Sequence, residues 1–298
     1  MDLISPLTKR KNVQLIHSVN VNELIKEYRE KLNVDIRYLL KNHKRIELYR
    51  CKETGYSFYH PGDISGDDSF YEILGMNEWY YMDWKWEFEQ SLKYINKYDS
   101  VLDIGSGKGD FLKYLKSKEI KGTGLEINKN QIEFCKETGL QIFNESVENH
   151  SKDKTNKYDI ICSFQILEHI YNVRSYIESC INLLKPSGKL IISVPNNRSY
   201  LKYSKEILNM PPHHMGLWDE HSLVSLTKIF KLEMIDMEYE PLDITHKWQL
   251  INSISLYYSK GKFNIFYKLL VRIIPLLIPF FFKKFKAFTI LVVFLKKQ

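Results

Sequence analysis

Between residues 96 and 240 the apolar positions fall into short unbroken runs separated by longer stretches of helical spacing. The runs at 100–104, 122–127, 140–143, 158–163 and 189–194 are too short for helices. They read as strands covered on both faces, as in a parallel sheet. Between and after them, 109–118, 129–138, 170–184 and 219–230 carry apolar residues at helical intervals. Alternating strand and helix predicts an α/β, doubly wound fold. Right-handed crossovers then put the ligand crevice at the carboxyl ends of the strands.

The flanks differ from this core. Asn20 followed by Val21-Asn22-Glu23-Leu24 predicts a short helix behind a polar cap. Ile46 to Cys51 and Tyr56 to His60 alternate and predict two strands, joined through Glu53-Thr54-Gly55. Pro61, Gly62 and Gly66 mark a loop, and Trp79, Tyr80, Tyr81, Trp84 and Trp86 then crowd into a few residues, as core or as a lid. Residues 1–95 are therefore read as an N-terminal cap region and 96–298 as the main domain. Residues 263–282 are apolar enough to suggest a membrane span, but Lys268, Arg272, Pro275 and Pro279 interrupt it. Asn264, Lys268 and Arg272 share one helical face, opposite Phe266, Leu269, Leu270, Ile273 and Leu277. That predicts an amphipathic, basic helical segment at 263–287, inserted before a final β-branched strand at 289–295.

Charge sharpens the picture. The net charge is +7, and residues 263–298 hold seven basic residues and no acid. The remainder carries 36 basic and 36 acidic residues. A neutral body argues against nucleic acid as a partner. The tail lysines either keep a greasy region soluble or meet an anionic membrane surface. Cys51, Cys135, Cys162 and Cys180 have no paired spacing, so neither disulfides nor zinc is expected from them. The N-terminus has no apolar run of signal-peptide length. The expected location is the cytoplasm, with peripheral contact at the inner face of the membrane if the tail meets lipid.

The chemistry concentrates in Val101-Leu102-Asp103-Ile104-Gly105-Ser106-Gly107-Lys108-Gly109. A strand runs into a glycine turn and out into a helix, so the backbone can approach a ligand closely. The next strand ends in Gly124-Leu125-Glu126, placing an acid where ribose hydroxyls would lie. Nicotinamide-cofactor domains share this layout, but their third glycine would fall at Asp110. Asp103 before the turn would repel a phosphate and favour a cationic amino-acid end.

Asp103-x-Gly105-x-Gly107-x-Gly109, Glu126 and the run from Tyr158 through Gln165-Ile166-Leu167-Glu168-His169-Ile170 resemble the class I S-adenosylmethionine methyltransferases. The segment Asn144 to His150 is particularly similar to the O-methyltransferases of ubiquinone biosynthesis (methyltransferase domain type 23). So are Leu184 to Asn196, and Pro211-Pro212-His213-His214 followed by Trp218-Asp219-Glu220-His221. The resemblance covers about 95–240 and the last strand. It implies a seven-stranded, mostly parallel Rossmann-like sheet and S-adenosyl-L-methionine as cofactor. Asp103, Gly105, Ser106, Gly107 and Gly109 would cradle the methionine end. Glu126 would hold the ribose, Ile127 would lie on the adenine, Ser146 and Val147 would meet its edge, and Gln165 would face the methyl group.

The activity expected is methyl transfer to an oxygen of a small molecule, a sugar or a lipid-linked acceptor such as a glycan. A hydroxyl acceptor needs its proton removed, and a histidine near neutrality suits that task. His213, His214 and His169 are the candidates. Some relatives bind a divalent metal through Glu-x-x-Glu-His and a later histidine. Here the first acid is Gln165, a poor ligand for a hard cation, so no metal is counted in the site. A set of Glu168, His169 and His213 or His214 stays open beside a purely structural role for Glu168 and His169. The N-terminal stretch resembles the front of sugar-associated methyltransferases, where a cysteine pair occurs; only Cys51 remains here, which argues against zinc. The competing classes are a non-catalytic binding protein on the same fold and a nicotinamide-dependent reductase or epimerase.

Overall fold

The computed structural model describes residues 3–77, 80, 84–199, 206–241 and 288–297. Its centre is a seven-stranded sheet in the order β10-β11-β8-β7-β4-β5-β6. The strands are β4 (Ser100–Ile104), β5 (Lys121–Leu125), β6 (Ile142–Phe143), β7 (Tyr158–Phe164), β8 (Leu184–Pro195), β10 (Leu232–Tyr239) and β11 (Thr289–Lys296). β4 pairs in parallel with β5 on one side and β7 on the other, and β11 runs antiparallel between β8 and β10. The chain leaves β4 toward β5 and β6, then returns to its other side for β7 and β8. The direction of winding therefore reverses at β4, and such a switch point opens a crevice beyond the strand ends.

Helices cover both faces. α5 (Asp110–Ser117) buries Phe111, Leu112 and Leu115 against the sheet, where they join Phe88, Ile160 and Phe164. α8 (Val173–Leu183) buries Val173, Tyr176, Ile177, Cys180 and Leu183, a helical stripe packed with Leu102, Ile161 and Ile192. α6 (Lys129–Glu137) and α7 (Val147–His150) flank β6 and carry side-chain caps from Asn128 and Ser146. A central strand with a helix on each face is apolar along its whole length, which is why β4 and β7 appeared as continuous runs.

A second, antiparallel sheet has the order β1-β2-β3-β9, with β1 (Val13–Asn20), β2 (Arg45–Cys51), β3 (Ser57–His60) and β9 (Gly216–Leu217). Three helices pack with it: α1 (Val21–Leu32), α2 (Arg37–Leu40) and α3 (Asp68–Gly75), while α4 (Trp86–Ser91) lies against the main sheet. Asn20 caps α1 through its side chain, accepting from Asn22 and Glu23 N–H, as the sequence led one to expect. The fourth strand of this sheet comes from beyond β8, so the small sheet spans more of the chain than residues 1–95. Trp218 follows β9 and is fully buried, its ring 4.3 Å from that of Tyr56. Both rings belong to the same apolar cluster as β4, β7 and β8, so they join the two sheets.

Some elements differ from expectation. The helix read at 219–230 is two, α9 (Glu220–Val224) and α10 (Leu226–Ile229), meeting at Ser225, whose hydroxyl donates to Ser222 O at 2.6 Å. β8 begins at Leu184 rather than 189, with a bulge opposite Tyr158–Ile160. β1, β9 and β10 were not foreseen. β10 is an edge strand with mostly part-exposed positions, so its pattern is weak. The segment at 263–287 lies outside the described residues, as do Trp79 and Tyr81. No helix among the described residues is long and apolar enough to cross a membrane.

Replacing Trp218 by Ala should cost about 3–5 kcal/mol of stability, the usual range for deleting a buried large aromatic. Trp218→Phe should cost much less, since the indole N–H is itself buried without a partner. Urea denaturation of the two variants checks both values.

Candidate active site

β4 ends at Ile104 and the backbone turns through Gly105, Gly107 and Gly109, all with positive φ (72°, 51° and 75°). That conformation is costly for residues with a side chain. At Gly105 there is also no room: a Cβ would stand 2.2 Å from Ile166 Cδ1. The turn is pinned from the neighbouring strand, because Gly105 N and Ser106 N both donate to Leu125 O, at 2.8 and 3.1 Å.

Glu126 follows immediately on β5. Its Oε2 accepts from Gly107 N at 2.7 Å, and its Oε1 accepts from Ile127 N and Asn128 N at 2.8 and 2.9 Å. The carboxylate thus bridges the glycine turn and the start of the α6 cap. Asn144 extends the join to the strand beyond, donating to Glu126 O and Ile127 O at 3.1 and 3.0 Å.

Asp103 lies one residue before the end of β4 and is only 3% exposed. Burial pushes its carboxyl up to about 8; Lys85 opposes the shift, while Glu126 and Asp110 reinforce it. A buried acid held neutral in this way gains when a cation arrives beside it. Asp103 and Glu126 therefore fit an ammonium and a pair of hydroxyls, on either side of a turn packed too closely on Ile166 and Leu140 for side chains at Gly105 and Gly109.

The remaining expected cofactor residues spread along the same edge. Ile127 is 49% exposed, open to a planar ring. Ser146 caps α7, its Oγ accepting from Asn149 N at 3.3 Å. The Val147 side chain belongs to the core cluster. Only the backbone of Val147 is thus offered to a ligand. Gln165 ends β7 in a left-handed conformation, φ 56°. Its Nε2 donates to Ser193 Oγ at 3.3 Å and to Glu87 Oε1 at 3.4 Å, and Ser193 Oγ donates to Glu87 Oε1 at 3.1 Å. Glu87 and Lys85 escaped the sequence reading. Glu87 is buried at the strand ends although it comes from α4, and the run Trp84-Lys85-Trp86-Glu87 gives no local sign of it.

His169, His213 and His214 come together, with one ring nitrogen of each within 4.8 Å of the others. Two turns bring this about. His213 N and His214 N both donate to Met210 O at 3.1 Å, and Met215 N and Gly216 N donate to Glu168 O at 2.8 and 2.9 Å. A base near neutrality was the expectation from sequence. Burial instead pushes His169 down to about 4 and moves His213 and His214 well below their ordinary value, so all three are neutral at pH 7. Glu168 beside them is 1% exposed, and burial pushes its carboxyl up to about 8.

Comparison with known proteins fits this geometry. The model of the methyltransferase domain family matches residues 76–236. The chain belongs to that family. It is an S-adenosylmethionine-dependent methyltransferase. It is 29% identical over 178 residues to the ubiquinone biosynthesis O-methyltransferase of Proteus mirabilis, covering 53% of this chain and 71% of that one. The Vibrio vulnificus protein of the same name is 28% identical over 169 residues, covering 49% and 70%. Among solved structures, an S-adenosylmethionine-dependent methyltransferase from Archaeoglobus fulgidus superposes with a TM-score of 0.52 at 19% identity, covering 70% of this chain and 91% of that one. The PH0226 protein from Pyrococcus horikoshii does so with 0.50 at 15%, covering 78% and 100%. These two likenesses concern the fold.

The raised Asp103 carboxyl makes a prediction about this methyltransferase. At pH 7 the acid is mostly protonated, and the ammonium of S-adenosylhomocysteine favours its carboxylate. Binding should therefore release a proton, and the calorimetric enthalpy at pH 7 should vary with the ionisation enthalpy of the buffer. In Asp103→Asn that variation should shrink, and affinity should fall roughly tenfold to a hundredfold, about 1.4–2.7 kcal/mol.

Proposed function

We propose that the enzyme methylates a hydroxyl oxygen of a small molecule, with donor and acceptor meeting at the ends of β4 and β7. The observation that carries this is the convergence of a buried acid, a glycine turn and the Glu126 bridge at the end of β4, with a histidine cluster built on the loop after β7. The curated relatives quoted above are named as O-methyltransferases, which supports oxygen as the acceptor atom.

On the donor side, Asp103 and the turn carrying Gly105, Ser106, Gly107 and Gly109 take the methionine end. Glu126 receives the ribose hydroxyls, Ile127 backs the adenine, and Ser146 and Val147 border it. Gln165, held by Ser193 and Glu87, faces the transferring group. S-adenosylmethionine supplies an electrophilic methyl on a sulfonium. The protein's part is alignment, which alone can supply a large share of the barrier reduction.

On the acceptor side, His213, His214 and His169 are neutral and present unprotonated ring nitrogens. They provide lone pairs rather than protons. The turn carrying His213 and His214 leads directly into β9 of the small antiparallel sheet, and both side chains are buried. A lipid-linked or glycan-bearing acceptor is supported by the basic, apolar composition of 263–287, which suits an anionic membrane surface.

Transfer of a labelled methyl group to phenols with adjacent hydroxyls tests this reading. Water-soluble acceptors and prenylated ones in phosphatidylglycerol vesicles are offered side by side. The product should be a methyl ether, and Glu126→Ala should lower kcat/KM by at least tenfold on either acceptor. Product methylated only on nitrogen or carbon would contradict the oxygen assignment. Turnover of the soluble phenols alone would contradict the lipid-linked acceptor.

A further inference from the structure

We infer that Glu87 is a positioning residue for methyl transfer. It decides which end of the Gln165 amide faces the transferring group, and it turns the oxygen there. The inference rests on the donor reading given above and deepens it.

Glu87 reaches the strand ends from outside the sheet. It lies in the first turn of α4, beside Phe88, whose ring is 5.1 Å from that of Phe111 on α5 and 5.4 Å from that of Phe164 at the end of β7. That apolar anchor holds α4 to the sheet and brings the neighbouring acid with it. Glu87 is 4% exposed. An acid is seldom buried so far unless hydrogen bonds hold it there. Its Oε1 accepts from both Ser193 Oγ and Gln165 Nε2.

The direction of these bonds follows from the acid. The two ends of a glutamine amide are nearly the same size, so packing alone does not choose between them. A carboxylate accepts and does not donate. Ser193 therefore gives its one hydroxyl hydrogen to Glu87. Its oxygen is left to accept from Gln165 N and Gln165 Nε2, at 3.2 and 3.3 Å. Both neighbours of the amide are then acceptors, and only its NH2 end fits between them. The opposite orientation would set two bare oxygens against each other.

Gln165 Oε1 is the atom left over. It meets no donor among the described residues, and the side chain is half-buried rather than sealed. The root of the side chain is fixed as well. Gln165 N donates to Ser193 O at 3.0 Å, and the backbone there is left-handed. Such a conformation persists where the surroundings over-determine it, and it clusters at functional sites.

A free carbonyl oxygen suits the donor. A methyl on a sulfonium has positively polarised hydrogens, which a carbonyl oxygen attracts through C–H···O contacts and an NH2 group repels. In the transfer the sulfur–carbon bond breaks, the sulfur keeps the electron pair, and a lone pair of the acceptor oxygen forms the new bond to carbon. Gln165 exchanges nothing in that step. It aligns the methyl, and Glu87 keeps Gln165 turned the right way.

Calorimetry on the full-length protein tests this with two probes and no acceptor. S-adenosylhomocysteine has a bare sulfur at the reacting position, and sinefungin carries an amine where the methyl would be. An oxygen placed there accepts from that amine. The ratio of the two dissociation constants is the readout, because a general loosening of the berth cancels in it. The wild-type protein should prefer sinefungin at least tenfold. Glu87→Gln, which releases the Ser193 hydroxyl and lets the amide turn over, should cut that preference at least fivefold. Gln165→Met, of similar length and without polar ends, should abolish it. Equal affinity for both probes in the wild-type protein, a measurement that needs no variant, would overturn the proposal and leave the donor reading standing. So would an unchanged ratio in a Glu87→Gln protein that still binds S-adenosylhomocysteine. Failure of the wild-type protein to bind S-adenosylhomocysteine would overturn both.

Discussion

The Glu126 carboxylate receives three backbone N–H groups, one from the glycine turn after β4 and two from the turn after β5. It adds to the bonds from Gly105 N and Ser106 N to Leu125 O, which pin the first turn to the end of β5. The first is a run of left-handed glycines, which have the most conformational freedom to lose. The second leads into α6 through Asn128, whose side chain is already committed to Asn130 N and Gln131 N. Hydrogen bonds to an ionised acceptor are shorter and stronger than neutral ones. One charge on one strand end thus shapes the donor side of the crevice, and the same charge stands where sugar hydroxyls would lie.

The acceptor side has a different origin. No single strand end builds it. The turn holding His213 and His214 is fixed by α1, through Tyr28, which donates to Met210 O at 3.1 Å, and by the small sheet, through β9. The Gln165–His169 loop comes from β7. The two meet because Met215 N and Gly216 N both bond Glu168 O. Trp218 and Tyr56 then lock the small sheet to the main core. On the proposed reading, donor recognition falls to the doubly wound sheet and acceptor chemistry to its junction with the small sheet.

The division explains what the sequence could and could not reveal. The strands at 100–104, 158–163 and 289–295 were legible because burial on both faces leaves an unbroken apolar run. The glycine turn and Glu126 were legible because their spacing is local and their chemistry is specific. Glu87 was not, since it acts across a gap that no local pattern spans. The three histidines were visible as residues, but their shared state was not. Only the folded surroundings show that burial keeps them neutral and that every Nδ1 is already bonded. β9 is two residues long and exists only because β3 offers it an edge.

A sulfonium nucleoside held through the Glu126-bridged turn is what sets this crevice apart from a dinucleotide site. Equilibrium binding of S-adenosylhomocysteine, measured beside a reduced nicotinamide dinucleotide on the same preparation, tests it most directly. Saturable one-to-one binding of the first and none of the second is expected, with a loss of at least tenfold in Glu126→Ala. Binding of the dinucleotide instead, or identical behaviour of wild-type and Glu126→Ala protein, would contradict it.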